Sequence, residues 1–121
     1  MKLNKPKHSL WKNGLYALEG LIDITKSETS FKWQIFMVFS LGSVAWMLPI
    51  GFGYSSILFI SLFLPVLAEI ANSAIERVVD LVTTDYHILA KKAKDAGAAL
   101  VIVSLVVMVM IWCSVLVVAF G

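Results

Sequence analysis

The stretch WQIFMVFSLGSVAWMLPIGFGYSSILFISLFLPVLA, residues 33–68, contains no charged side chain, and EIANSAIERVVD, residues 69–80, follows it directly. The apolar stretch is too long for one membrane crossing and is broken near its middle by Pro49, Gly51 and Gly53. A span over 33–49 covers about 25 Å at roughly 1.5 Å per residue, close to the hydrocarbon thickness of a bilayer. The sequence LPIGFGYSS then reads as a tight turn. A second span, starting near Tyr54, needs roughly 20 residues to recross, so it should leave the lipid between Ile70 and Ile75. Pro65 should kink it one turn before Glu69. Residues 96–120 are again free of charge and supply a third span.

Composition agrees with this reading. Of 121 residues, 60% are hydrophobic and 15% charged, and the mean hydropathy is +0.87, which excludes an ordinary soluble domain. There is room for one domain over residues 1–121. A net charge of +2 is too small to argue for nucleic acid. The one cysteine, Cys113, excludes an internal disulfide and reads as a small buried hydrophobe. The basic N-terminus lacks an apolar core followed by a cleavage site, so it reads as mature protein rather than a signal peptide.

Around the spans the charges partition sharply. Residues 8–23 place Leu10, Trp11, Leu15, Leu18, Leu21 and Ile22 at helical spacing, with Lys12, Tyr16, Glu19 and Asp23 on the other side. This predicts an amphipathic helix lying in the membrane interface. Thr25 to Ser30 reads as a short polar connector holding Glu28. Six lysines in the N-terminal segment, and Arg77, Lys91, Lys92 and Lys94 in the segment 77–94, put both charged regions on the cytoplasmic side and the 49–56 turn outside. The expected architecture is all-α: one surface helix and three membrane spans.

The polar string is where chemistry is expected. At about 100° per residue, Asn72, Ser73, Glu76 and Asp80 fall within about 60° of Glu69 and form one helical stripe. Ala68, Ala71 and Ala74 permit close helix approach beside it. An acid in a membrane helix costs about 2.5–3.5 kcal/mol near the bilayer centre, so such residues rarely persist without a task. Glu69 should lie within about a turn of the hydrocarbon boundary, where poor solvation suits a carboxylate to accept a proton. Glu76, farther along, should be in water and stay ionised, as a divalent-metal ligand requires. The plainer alternative is a polar stripe that only joins helices in an oligomer. The loop after it adds Asp85, Tyr86, His87, Lys94 and Asp95. His87 reads as solvated, and Lys91 and Lys92 as charges that set topology. No GxxxxGK[ST] or GxGxxG phosphate cradle occurs.

EIANSAIERVVD, then DYH at 85–87, then AKDAGAA at 93–99, in a three-span chain of this length, resembles the bacterial integral-membrane diacylglycerol kinase family, which includes undecaprenol kinases. The resemblance covers essentially the whole chain, through Trp112 and Cys113. It implies transfer of the γ-phosphoryl group of MgATP to a lipid hydroxyl at the cytoplasmic face of the bacterial inner membrane. The NSAIE and DYH spellings favour diacylglycerol, giving phosphatidic acid, over undecaprenol. It also implies a homotrimer with active sites shared between subunits. Carried over residue by residue, Glu69 is the general base and Asn72 supports it. Glu28 and Glu76 hold the divalent ion, Mg2+, on ATP. Lys94 and Asp95 form a nucleotide-binding pair. Lys12, Tyr16, Asp85, Tyr86 and His87, with Glu28 and Glu76, contact nucleotide. Phe31 and Trp112, with Glu69, lie against the lipid. The chain departs from the family's usual residues at Ser9, often Arg; at Gln34, commonly acidic; and at Lys91, frequently Gly.

A reading from another class is a small oligomeric transporter or channel with Glu69 as its ion-coupled acid. The position of Glu69 at a helix's end, rather than at the bilayer midplane, argues against it.

Overall fold

In the computed structural model, which describes residues 9–121, the chain forms five helical segments and, among those residues, no strand. They are α1 (Leu10–Ser27), α2 (Thr29–Met47), α3 (Phe52–Ser61), α4 (Phe63–Val82) and α5 (Ile88–Phe120). His8, where the surface helix was expected to start, and Lys2, Lys5 and Lys7 lie outside the described residues.

α1 runs past Asp23 because the polar residues that looked like a connector satisfy the helix instead. The hydroxyls of Thr25 and Ser27 donate to the carbonyls of Leu21 and Asp23, at 2.7 and 2.9 Å. Such back-bonding to the preceding turn lets a hydroxyl residue stay helical. The expected connector over Thr25–Ser30 shrinks to one residue, Glu28, extended at φ −114° and ψ 111°. α2 ends at Met47 because Leu48 precedes Pro49 and is driven to ψ 139°. Gly51, at φ +89°, then reverses the chain through a conformation that other residues avoid.

α3 and α4 make one rod broken at Leu62, three residues before Pro65 rather than at the proline itself. Pro65 has no N–H to offer the carbonyl of Ser61. The Leu62 N–H bonds instead to the carbonyl of Phe59 at 3.1 Å, a tighter turn. Trp112 of α5 donates to the Ser61 hydroxyl at 3.0 Å beside the break. The α3–α4 rod, Phe52–Val82, and α5 are the two helices long and apolar enough to cross a membrane. At roughly 1.5 Å per residue they measure about 46 and 50 Å, well beyond a hydrocarbon layer of about 30 Å. Both therefore project from it, and their polar ends, around Glu76–Val82 and Ile88–Asp95, lie together.

The helices turn their greasy faces outward. Trp33, Phe36, Phe39, Leu67, Ile102 and Val117 are exposed, while Gln34, Ser55, Ser61, Glu69, Asn72 and Ser73 are buried. Lipid is as apolar as leucine, so packing there gains nothing from hiding leucines and much from hiding polar groups. An apolar cluster of Ala45, Leu58 and Val115, backed by Leu48, Ile50 and Trp112, closes the end near the Gly51 turn. α4 packs chiefly on α5, and α2 on α3 and α4.

α1 is tied to α4 by Arg77. One guanidinium nitrogen donates to the Asp23 carboxylate at 2.5 Å and the other to the Ser27 hydroxyl at 3.1 Å. Both groups of the ion pair are substantially exposed, at 45% and 61%. A double-mutant cycle with Asp23→Asn and Arg77→Met, read by thermal unfolding in detergent, should therefore return a coupling of only about 0.2–1 kcal/mol that shrinks with added salt.

Candidate active site

The stripe on α4 faces inward at its start and emerges at its end. Glu69 and Asn72 are 5% and 8% exposed, Ser73 is fully enclosed, Glu76 is half-buried and Asp80 is exposed. α2 supplies the polar lining opposite. Gln34 Nε2 donates to Glu69 Oε2 at 3.4 Å, and the Ser30 hydroxyl lies against the same carboxylate. Phe31, one turn earlier on α2, is buried behind this contact. The joint between α1 and α2 brings in Glu28, whose Oε1 accepts from the Ser73 hydroxyl at 3.1 Å. Glu28 and Glu76 are both near enough to act electrostatically on Glu69. Three carboxylates from two parts of the chain thus converge.

α5 closes the other side at Gly97. A Cβ built there would meet Asn72 Oδ1 at 2.2 Å, so a larger residue would make the carboxamide move from where it sits. That Oδ1 is buried and has no hydrogen-bond partner among the described residues, as is also true of Gln34 Oε1.

Beyond Asp80, a cleft of about 400 Å3 opens between the ends of α4 and α5. Asp85, Tyr86, His87, Lys94 and Asp95, five of the residues expected to contact nucleotide, line it. Lys94 and Asp95 do not pair with each other. Lys94 bonds Asp80 at 2.7 Å, and Asp95 bonds Lys91 at 2.6 Å. Asp80's hydrogen bond holds the Lys94 ammonium, before the apolar part of α5, above its usual pKa. His87 is exposed, as expected, and its Nδ1 also accepts from the Leu89 N–H at 3.1 Å and caps α5. The Thr83 hydroxyl accepts from the Asp85 N–H at 3.1 Å and shapes the turn.

Other expected residues lie elsewhere. Lys12 and Tyr16 are on α1 and do not line the cleft. Trp112 lies roughly 22 Å along α5 from Gly97 at about 1.5 Å per residue, bonded to Ser61, so a single chain does not bring it to Glu69. Arg77, Gly97 and Gln34's bond to Glu69 were not expected. Gln34 did carry a signal, as a polar carboxamide inside an apolar run.

Among the described residues no three His, Cys, Asp or Glu side chains gather as a ready cation cage. Magnesium asks for less, usually one or two carboxylates completed by phosphate oxygens and water. Glu28, fixed by Ser73, and Glu76 offer carboxylate oxygens of that kind and fit it.

The family described as prokaryotic diacylglycerol kinase matches residues 15–116. This chain belongs to that family. The diacylglycerol kinase of Escherichia coli K12 is 35% identical over 106 residues, 88% of this chain and 87% of the relative. That of Pseudomonas aeruginosa is 33% identical over 101 residues, 84% and 82% of the two chains. That of Haemophilus influenzae is 36% identical over 107 residues, 84% and 86%. Within the prokaryotic diacylglycerol kinase match fall all the expected site residues except Lys12.

Gly97→Ala should force the Asn72 carboxamide from its seat and destabilise the protein by about 1–3 kcal/mol, the usual scale of overpacking. Thermal unfolding in detergent measures this, and adding Asn72→Ala should recover most of the loss.

Proposed function

We infer that the chain is an ATP-dependent diacylglycerol kinase, converting the lipid to phosphatidic acid at the cytoplasmic edge of the bacterial inner membrane. The observation that carries this is the buried Glu69, held by Gln34, with the carboxylates of Glu28 and Glu76 beside it and an open cleft farther along the same helix, lined by Lys91 and Lys94 together with Asp80, Asp85 and Asp95. Membership of the family and the names of its relatives supply the acceptor.

On this reading Glu69 takes the proton of the lipid hydroxyl. The freed oxygen attacks the γ-phosphorus of ATP, forming a new P–O bond as the bond to the β-phosphate bridging oxygen breaks and ADP leaves. Asn72, one turn from Glu69, supports the acceptor. Glu28 and Glu76 would hold a divalent ion, Mg2+, which when bound offsets polyphosphate charge. Lys94 and Asp95, with Asp85, Tyr86 and His87, bind nucleotide, and Lys94 exchanges Asp80 for phosphate. Lys12 and Tyr16 meet the nucleotide from α1, and Phe31 meets the lipid. Such a reaction needs positioning and charge neutralisation more than covalent help, which suits this set.

The reading extends to topology and assembly. α2, 19 residues long, is the third span, over 33–49 with 54–75 and 96–120, and α1 lies on the inner surface. The lysines and the single arginine at the polar ends support putting that side in the cytoplasm, where ATP is. A homotrimer with shared sites follows from the family resemblance and would give Trp112 a place against lipid.

Purified protein incubated with labelled ATP and either diacylglycerol or undecaprenol should label diacylglycerol; label in undecaprenol alone would overturn the acceptor. Glu69→Gln should lose at least about a hundredfold in phosphoryl transfer, the scale of a general base, with MgATP binding kept. Robust turnover by that variant would remove Glu69 from the role. Glu76→Gln should instead raise the magnesium concentration needed for half-maximal rate, and an unchanged metal dependence would count against its assignment.

A further inference from the structure

Gln34 and Glu69 form a half-used pair. The carboxamide donates through Nε2 to one carboxylate oxygen at 3.4 Å, while its own Oε1 is buried and has no donor among the described residues. Gln34 is 8% exposed and Glu69 5%, so bulk water does not complete the set. The orientation is chemically forced: an ionised carboxylate only accepts, so the amide must present its N–H. A carboxyl group has a different complement, with one acceptor oxygen and one O–H donor. Facing a primary carboxamide, it can close a ring of two hydrogen bonds, N–H to carbonyl and O–H to carbonyl.

We propose that Gln34 is a positioning residue that holds Glu69 as a carboxylate by one hydrogen bond and completes a second, through Oε1, when Glu69 takes the acceptor's proton. This rests on the reading of Glu69 as the base. Atoms balance simply: the lipid O–H breaks, its proton bonds to a Glu69 oxygen, and the electron pair stays on the lipid oxygen that attacks phosphorus. The gain of a partner by Gln34 Oε1 comes once the proton has left the lipid oxygen and the new O–H has turned toward the amide, so it stabilises the protonated base that the transfer produces and not the bound substrate. The charged and titratable groups around the pair are Glu28 from the α1–α2 joint and Glu76 from α4, with the Ser30 hydroxyl from α2. From α5 the neighbour of the stripe is Gly97, which offers no competing side-chain donor. A glutamine at this position suits a neighbouring base because it carries donor and acceptor without adding a fourth carboxylate to the three already gathered.

The test combines turnover with infrared spectroscopy on the intact protein in phospholipid vesicles. Gln34→Met, similar in length but without either polar group, should lower kcat roughly ten- to a hundredfold, the scale for a hydrogen bond to a charged group, with KM for MgATP unchanged. Gln34→Glu restores an acceptor of the same length and should recover part of kcat. Spectra taken as the vesicles are acidified, with Glu69→Gln to assign the band, should place the Glu69 carboxyl stretch low, as in a doubly hydrogen-bonded acid. In Gln34→Met that band should move up. This second readout is available in the unaltered protein even if a Gln34 variant fails to fold. A free-carboxyl frequency there, or full kcat in Gln34→Met while Glu69→Gln is inactive, would overturn the pairing and leave the kinase assignment standing. Full kcat in Glu69→Gln would remove the base and the pairing with it.

Discussion

A carboxylate enclosed among helices whose outer surface is greasy has to be solvated by the protein, and Glu69 imposes that requirement on everything around it. Lipid offers no hydrogen bonds, so the stripe bearing Glu69, Asn72 and Ser73 turns inward, and Leu67 and Val78 turn outward. The neighbours are then constrained in kind. α2 must bring a donor, which is Gln34. α5 must come close without a side chain in the way, which is Gly97 against Asn72. Helix packing in this chain follows from polar satisfaction rather than from the usual burial of leucine.

The same gathering of acids sets the electrostatics. Glu28, Glu69 and Glu76 converge, yet the nearby cations are engaged with other partners, Arg77 with Asp23 and Lys94 with Asp80. The centre is left rich in negative charge. Mutual repulsion would tend to lift Glu28 away, and the bonds from Ser73 to Glu28 and from Arg77 to Ser27 oppose that motion from either side of the joint. Each exposed bond is weak alone. Their effect is geometric, fixing where the single residue of the α1–α2 joint stands.

The stripe on α4 was legible because helical periodicity is a property of the string EIANSAIERVVD itself. The turn at Gly51 was legible because Pro49 and Gly51 leave the backbone few choices. The length of α1 was not. Thr25 and Ser27 look like loop residues, and only their hydroxyl bonds to the preceding turn keep the helix going. The partners of Lys94 and Asp95 were not legible either: consecutive helical side chains diverge, so each pairs across a turn or a helix. Asp23 with Arg77 and Gln34 with Glu69 are far apart in sequence, and no local pattern announces either. Trp112 was expected at the lipid site on resemblance alone, and the antiparallel course of α5 carries it toward the break at Leu62.

The one-residue joint at Glu28 links membrane attachment to the site. α1 leaves Leu10, Trp11, Leu18 and Ile22 exposed along one face, suited to the interface between headgroups and acyl chains. A continuous helix is stiff, so the roll that seats this face in lipid also fixes the direction of its last turn. That turn holds Asp23 and Ser27, both bonded to Arg77, and ends at Glu28. With α1 on the membrane surface as proposed, lipid would constrain one end of it and α4 the other, with the carboxylate at the pivot. A joint of several residues would let α1 settle on the membrane without regard to α4. With a single extended residue, the depth and roll of the surface helix and the placement of Glu28 become one structural variable.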